Sequence, residues 1–159
     1  MKPVILVTEK EYGKGKAVFA AAEDVSVQPA ARAEPELAAE VRRTGARTVI
    51  VGVDRYAGEL YPAVANGLIA RFGIGCDGID RVLCRRYGIA LANTPGVLDT
   101  SVAEHALWLM GAVARRIVQT DVALRRGEFA AEMGEELSGR RLLVVGFGPI
   151  GRTVARMAA

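Results

Sequence analysis

The chain is poor in the side chains that most often build metal and redox sites. Its 159 residues include one histidine and two cysteines. The cysteines, Cys76 and Cys84, are too few and too far apart for a zinc knuckle, a CxxC redox pair or a disulfide framework. We therefore predict no metal site and two reduced thiols.

Long apolar runs and a strong charge bias are also missing. The run at residues 4–7 is too short for the core of a signal peptide, and no run approaches the length that spans a bilayer. The 21 basic and 18 acidic residues give a net charge of +3, and the arginines are scattered rather than clustered. These observations predict a soluble, cytoplasmic protein with neither a nucleic-acid nor a membrane partner.

Short β-branched runs alternate with helical segments in the first part of the chain. This rhythm is typical of a parallel sheet with crossover helices, and a hydrophobic content of 51% is enough for a sizeable core. The sequence predicts an α/β domain of the flavodoxin-like type. Its predicted strands are residues 4–8, 25–28, 48–51, 68–72 and 89–93, and its predicted helices are residues 16–22, 35–43, 59–65 and 80–87.

A different pattern follows the proline-glycine pair at positions 95 and 96. Residues 101–104, Ser-Val-Ala-Glu, have the form of a capping box with Ser101 as the N-cap. Apolar residues then recur at helical spacing and predict one long helix with a buried face, formed by Val102, Ala106, Leu109, Met110, Val113 and Ile117. A further helix is predicted at residues 118–125, and the polar segment 128–139 indicates a boundary. The predicted divisions are residues 1–98, 99–138 and 139–159.

A glycine-rich turn lies near the end of the sequence. Apolar residues 142–145 predict a strand that leads into Gly146-Phe147-Gly148-Pro149-Ile150-Gly151, and residues 149–157 predict a helix. In such turns the first glycine permits the tight turn, the second lets the backbone approach a pyrophosphate, and the third allows close packing. We interpret this segment as the first βα unit of a Rossmann dinucleotide-binding domain. The alternative is a glycine-rich turn without a ligand.

The loops at the carboxyl ends of the strands are the other candidate sites, because ligands of parallel α/β sheets bind there. These loops are residues 9–14, 52–58, 73–78 and 94–100. The third carries three glycines between a strand and a helix, so it can present bare N–H groups to a small anion such as a carboxylate. The alternative is a tight turn whose glycines only supply positive φ, with Asp77 or Asp80 capping the next helix.

Six motifs follow one another in the order and with the spacing of a known family. They are GIGCDGID at 73–80, RYGIALANTPG at 86–96, SVAEHAL at 101–107, GEF at 127–129, ELSG at 136–139 and GFGPIG at 146–151. Because it carries these motifs in this order, the chain from about Thr48 onward resembles the N-terminal portion of the NAD(P)-dependent D-2-hydroxyacid dehydrogenases. This group includes phosphoglycerate, glycerate, glyoxylate and formate dehydrogenases or reductases.

The resemblance implies roles for several residues. The backbone N–H groups of Ile74 and Gly75 would hold the substrate carboxylate, and Ile74 would also touch the nicotinamide. The loop with Arg55 and Tyr56 would face the substrate, although the family usually has a small Ser or Thr there, so the substrate is not identified. Residue Gly78 stands where Asn is common. The cofactor, NAD or NADP, would contact Val102 and the turn residues Gly146, Gly148, Pro149, Ile150 and Gly151.

The family's reaction also needs an arginine and a histidine paired with a glutamate, all of which lie downstream of the glycine turn. The resemblance therefore assigns no catalytic residue to this chain, and we expect the chain alone to be inactive and to bind NAD(P)H very weakly. We interpret the one histidine, His105, as structural, and Trp108 and Met110 as packing residues. The acidic residue that would read the ribose falls beyond Ala159.

Two further expectations concern function and association. The function that the resemblance implies is oxidation of the CH–OH group of a D-2-hydroxy acid, or the reverse reduction of a 2-keto acid. The alternative is that the chain is a non-enzymatic flavodoxin-like binding or dimerisation module. A receiver-type signalling domain fits poorly, because Glu9 with Asp54 is a weak carboxylate cluster and residues 93–95 supply no lysine. We also expect self-association, for example as a homodimer, because the strand at 142–145 lacks neighbouring strands.

Overall fold

The computed structural model describes residues 2–129 and 132–159. They form two compact units, Met1–Pro95 and Gly96–Ala159.

The first unit is built on a parallel sheet of five strands. These are β1 (Val4–Thr8), β2 (Ser26–Ala30), β3 (Thr48–Val51), β4 (Leu68–Arg71) and β5 (Ala90–Ala92). Their order in the sheet is β2-β1-β3-β4-β5, and every neighbouring pair is parallel. This is the strand order of flavodoxin-like folds. The α/β fold class predicted from the sequence is confirmed.

Four helices connect the strands of this unit: α1 (Glu9–Ala20), α2 (Glu34–Thr44), α3 (Leu60–Ala63) and α4 (Arg81–Arg86). The largest departure from the sequence prediction is α1, which begins directly after β1. Residues 9–14 are therefore the first turns of a helix and not a loop. The acidic residues Glu9 and Glu11 favour this start, because they lie at the positive end of the helix dipole, and Gly13 and Gly15 are tolerated inside the helix.

The core of the first unit lies between the sheet and its helices. Apolar side chains from the central strands and from α2, α3 and α4 are removed from water, and among the most buried are Leu6, Leu37, Val41, Val49, Val51, Leu60, Tyr61, Val64 and Ile69. Burial of each large side chain contributes about 1.5–3 kcal/mol. This core fixes the carboxyl ends of β3 and β4, from which the candidate site is built.

The loops after β3 and β4 are joined by a short stretch of backbone pairing. The Tyr56 N–H donates to the Gly78 carbonyl at 2.8 Å, and Tyr56 and Ile79 form a parallel bridge. The buried Tyr61 hydroxyl donates to the Tyr56 carbonyl at 2.8 Å and accepts from the Asp80 N–H at 2.7 Å. A Cβ at position 78 would lie 2.4 Å from the Asp54 carbonyl oxygen. Glycine is therefore required for the two loops to approach this closely.

The second unit contains α5 (Asp99–Ala114), α6 (Ile117–Arg125) and α7 (Pro149–Ala158), and α5 packs against α7. The predicted capping box at residues 101–104 is wrong. The helix begins at Asp99, and the Val102 N–H donates to the Leu98 carbonyl at 2.9 Å, so Ser101 lies inside the first turn. The predicted long helix also ends earlier than expected, at Ala114, because Arg116 adopts positive φ and precedes α6 as its N-cap residue.

Two expectations about the second unit, the buried face of α5 and the strand at 142–145, are wrong. The apolar face predicted for α5 is largely exposed, and Trp108, interpreted as a packing residue, is 77% exposed. Residues 142–145 do not form a strand in the described part of the chain, and Leu143 and Val145 are 85% and 90% exposed. A strand requires neighbours that accept and donate its backbone hydrogen bonds, and the described residues place none beside this segment.

Among the residues that the structure describes, no helix is both long enough and apolar enough to cross a bilayer.

The close approach at Gly78 leads to a stability prediction. We expect Gly78→Ala to lower the free energy of unfolding by about 1–3 kcal/mol, since the added methyl group meets backbone and the loops must separate. Gly13→Ala is the matched control, because a Cβ at this helical position meets nothing within 4 Å. It should raise stability by about 0.5–1 kcal/mol. Urea unfolding measures both variants, and equal stability of Gly78→Ala and the parent protein would contradict the proposed constraint.

Candidate functional site

A small cleft lies at the carboxyl ends of β3 and β4. Its volume is about 110 Å³, and its lining residues are Gly52, Val53, Arg71, Gly75, Asp77, Gly78 and Ile79. Both loops that the sequence indicated, 52–58 and 73–78, contribute to it. The carboxyl edge of a parallel sheet is where ligands of such folds bind, and the size of the cleft suits a molecule of a few heavy atoms.

The loop at residues 73–78 is held at both ends by backbone contacts. At its start, the Phe72 N–H donates to the Val51 carbonyl at 2.9 Å, and the Gly73 carbonyl accepts from the Thr94 N–H at 3.0 Å. Gly73 has a φ of +139°, which a side chain would disfavour. At its end, Asp80 caps α4 by accepting from the Val82 and Leu83 N–H groups. The capping role considered for Asp80 is thus observed, and it leaves the loop's own N–H groups unaffected.

Gly75 gives the cleft an uncovered stretch of backbone. Among the described residues, the two chain neighbours aside, the one heavy atom within 4 Å of a Cβ built at this position is an Asp77 carboxylate oxygen, at 3.4 Å. Ile74 is half-buried beside it, and its carbonyl accepts a hydrogen bond from the Asn93 side-chain amide at 2.8 Å. The backbone at Gly75 is therefore open apart from the neighbouring Asp77 carboxylate, which also lines the cleft.

The charges around the cleft are unevenly compensated. Arg71, at the end of β4, lines the cleft and donates to the Phe72 carbonyl. Asp54, in the loop after β3, is held by two hydrogen bonds from the Arg32 guanidinium, at 2.6 Å and 3.1 Å. The hydrogen bond from Arg32 lowers the pKa of Asp54. Because Asp54 is paired, its negative charge is offset near a site that would receive an anion.

The buried carboxylate of Glu11 occupies the space at the carboxyl end of the neighbouring strand, β1. Glu11 is 3% exposed, and its oxygens accept from the Thr8 hydroxyl at 2.6 Å and from the Lys14 ammonium at 3.5 Å. A Cβ at Gly52 would lie 2.5 Å from one of these oxygens. The end of β1 is therefore filled by protein side chains, and the open part of the edge is confined to β3 and β4.

The two residues predicted from the loop after β3 have different environments. Arg55 is exposed, as a ligand-facing residue must be. Tyr56 is 1% exposed and its hydroxyl donates to the Arg32 carbonyl at 3.3 Å, so its ring is part of the core. Burial raises the pKa of Tyr56. The structure thus leaves Tyr56 no side-chain surface for direct contact with a substrate, and its contribution is to hold the loop.

The glycine turn of the second unit has the features that a phosphate-binding turn requires. Gly146 has a φ of +91°, and a Cβ at Gly148 would meet nothing within 4 Å. A Cβ at Gly151 would lie 2.1 Å from the Gly146 carbonyl oxygen, so this glycine permits the close packing of turn and helix. Pro149 is the first residue of α7, where a missing N–H costs no hydrogen bond, and Ile150 follows it.

Four further residues noted in the sequence lie outside the glycine turn and outside the lining of the small cleft: Val102, His105, Cys76 and Cys84. Val102 and His105 are exposed residues of α5. Cys84 is buried, which raises the pKa of its thiol, while Cys76 is half-buried and its thiol donates to the Ile74 carbonyl at 3.8 Å. Within residues 2–129 and 132–159, no group of three or more His, Cys, Asp or Glu side chains is arranged to hold a metal ion.

Three residues near the cleft were not singled out from the sequence: Glu11, Arg71 and Asn93. A signal existed for Arg71, because a charged residue at the carboxyl end of a parallel strand faces the ligand-binding edge. Glu11 was hidden by the incorrect assignment of residues 9–14 as a loop. Asn93 contacts a residue that lies 19 positions earlier, and no local pattern reports such a contact.

Comparisons with known proteins agree with this geometry. The family model of the D-isomer specific 2-hydroxyacid dehydrogenase catalytic domain matches residues 5–153. The chain is 46% identical over 93 residues to a hydroxypyruvate reductase of Thermotoga maritima, covering 57% of this chain and 30% of the relative. It is 33% identical over 171 aligned positions to a glyoxylate reductase of Thermococcus litoralis, covering 99% of this chain and 51% of the relative.

A solved structure shows the same fold. The TT0316 protein from Thermus thermophilus is 31% identical and superposes with a TM-score of 0.79, over 98% of this chain and 52% of that one. The chain thus spans about half or less of the length of these three proteins. Because the family model matches nearly the whole sequence, the chain belongs to the D-isomer specific 2-hydroxyacid dehydrogenase family.

Proposed function

We propose that this chain supplies the substrate-binding part of an NAD(P)-dependent oxidoreductase that interconverts a small D-2-hydroxy acid and its 2-keto acid. The observation that carries the proposal is the 110 Å³ cleft, whose lining includes the open backbone of Gly75 and the cationic Arg71 together with Asp77. Backbone N–H groups and a cation are the donors that bind a carboxylate. The names of the two relatives, glyoxylate reductase and hydroxypyruvate reductase, fit a substrate of this size.

The role of each residue in the cleft follows from its position. The N–H groups of Ile74 and Gly75 would bind the substrate carboxylate, and Arg55 would approach from the loop after β3. Tyr56 would act indirectly, by fixing that loop through its core packing and its backbone bond to Gly78. The cleft has no histidine among its lining residues, and the resemblance places the acid-base histidine downstream of the glycine turn.

The second unit would bind part of the cofactor. The open face at Gly148 and the first turn of α7 would hold the pyrophosphate, with N–H groups from Ile150 and Gly151 and the positive end of the helix dipole. Gly146 and Pro149 would shape the turn, and the resemblance adds Ile74 beside the nicotinamide and Val102 as a residue that lines the cofactor cleft. When bound, the nicotinamide carries the hydride. Cytoplasmic location belongs to the same proposal and is supported by the enzyme class.

Binding of a 2-keto acid to the chain tests the substrate site. Glyoxylate should shift the backbone amide signals of Ile74 and Gly75 in two-dimensional ¹⁵N–¹H NMR spectra, because their N–H groups would donate to its carboxylate. Glycolaldehyde, which has a similar size but no carboxylate, should leave these signals in place. No response to glyoxylate would favour the alternative, a binding or dimerisation module without enzymatic activity.

Substitution of Gly75 provides a second test of the same site. We expect Gly75→Val to weaken glyoxylate binding, and to raise KM in the complete enzyme, by roughly tenfold to hundredfold. A hydrogen bond to a charged group contributes about 1.5–3 kcal/mol, and about 1.4 kcal/mol corresponds to a factor of ten. Gly58→Val is the matched control, since Gly58 lies in an exposed loop and does not line the cleft. An unchanged affinity in Gly75→Val would exclude the carboxylate role.

Cofactor affinity should be low in this chain. The described turn offers donors to the pyrophosphate, but the residue that would read the adenosine ribose is not among the residues of the chain. We therefore expect a dissociation constant for NADH in the millimolar range or weaker, measured by titration of the nicotinamide fluorescence. A micromolar dissociation constant would contradict this expectation.

Self-association is the last part of the proposal. Trp108, Leu109 and Val113 on α5 and Leu143 and Val145 near the glycine turn are all exposed, and contiguous exposed apolar surface favours association. We expect light scattering to report a mass above that of the monomer, or hydrogen exchange to show weak amide protection at residues 142–145. A strict monomer with strong protection there would contradict the prediction.

A further inference from the structure

Two clefts of the first unit are lined by residues of the loop at 73–78. Gly75 lines the 110 Å³ cleft described above. A second cleft, of about 290 Å³, has Cys76 and Asn93 among its lining residues. The peptide between Ile74 and Gly75 therefore joins a residue held by Asn93 to a residue of the small cleft.

The carbonyl of this peptide is held from the second side. The Asn93 side-chain amide donates to the Ile74 oxygen at 2.8 Å, and the Cys76 thiol makes a longer contact with the same oxygen at 3.8 Å. Asn93 itself follows β5, and the next residue, Thr94, donates its N–H to the Gly73 carbonyl at 3.0 Å. The end of β5 thus anchors the loop at two consecutive carbonyls.

Planarity transmits this anchoring to Gly75. In a trans peptide the C=O and the following N–H point in opposite directions, and the described residues contain no cis peptide bond. With the Ile74 carbonyl directed toward Asn93, the Gly75 N–H is directed away from Asn93, and Gly75 is a lining residue of the small cleft. Donation to the carbonyl also polarises the peptide and strengthens its N–H as a donor.

We propose that Asn93 is a positioning residue: its side-chain amide holds the Ile74–Gly75 peptide so that the Gly75 N–H faces the cleft that would receive the substrate carboxylate. This inference rests on the proposed function for the identity of the ligand, but the orientation of the peptide does not depend on any ligand. Glycine at position 75 has few steric limits on its own rotation. A side chain that fixes the preceding carbonyl is therefore an effective means of ordering this donor.

The variants test whether the side chain at position 93 must donate its hydrogen bond to the Ile74 carbonyl. Asn93→Leu has a similar shape and no donor, and it avoids the negative charge that aspartate would add near an anion. Asn93→Gln keeps the amide donor on a longer side chain, which the exposed position accommodates. Thr94→Val is the matched control, because within the described residues the Thr94 side chain is exposed and donates no hydrogen bond, while its backbone N–H is retained.

The first measurement needs no ligand. In ¹⁵N–¹H spectra of the uniformly labelled chain, the Gly75 amide signal should move and its hydrogen exchange should accelerate in Asn93→Leu. Both properties should stay close to the parent values in Thr94→Val and return partly in Asn93→Gln. Urea unfolding of all four proteins identifies any general loss of structure. An unchanged Gly75 signal in a folded Asn93→Leu protein would overturn the proposal.

The second measurement adds glyoxylate as the probe. We expect the dissociation constant to rise about tenfold in Asn93→Leu and to remain within about twofold of the parent in Thr94→Val, with partial recovery in Asn93→Gln. Equal affinity of Asn93→Leu and the parent would overturn the positioning role while the proposed function stands. If the parent itself does not bind glyoxylate, the proposed function of the cleft fails, and the ligand-free measurement decides the positioning role by itself.

Discussion

The close approach of two loops, those after β3 and β4, is the constraint on which the candidate site depends. The Tyr56 N–H bonds to the Gly78 carbonyl, and the buried Tyr61 hydroxyl connects the Tyr56 carbonyl to the Asp80 N–H. Since the Asp54 carbonyl leaves no room for a Cβ at position 78, this contact exists only with glycine there. A family position where asparagine is common thus has a specific steric reason to be glycine in this chain.

Electrostatic pairing within the first unit shapes the surroundings of the small cleft. The Glu11 carboxylate is buried with Thr8 and Lys14 and fills the space over Gly52. The Asp54 carboxylate is paired with Arg32. Arg71 and Asp77, one cation and one carboxylate, line the cleft together with Gly75. The proposed carboxylate site therefore relies on Arg71 and on backbone N–H groups, next to one acidic side chain.

The second unit shows how much a local pattern can predict and where it fails. The glycine spacing of the turn predicted a positive φ at Gly146, an open face at Gly148 and close packing at Gly151, and all three features are present. The apolar run at 142–145 predicted a strand without neighbouring strands, and the structure gives no strand there, with Leu143 and Val145 exposed. Turn geometry depends on adjacent residues, whereas a strand of a parallel sheet depends on partners from distant parts of the sequence.

The sequence by itself determined the order of the elements, the five-stranded parallel sheet of the first unit and the family, because hydrophobic periodicity, glycine placement and motif spacing are local properties. Only the tertiary structure decided that Tyr56 is buried, that α1 begins at Glu9, and that Arg32 pairs with Asp54, 22 positions away. It also decided that Asn93 holds the carbonyl of Ile74. These contacts join residues that are far apart in the chain, and their free energy is gained only when the sheet has brought those residues together.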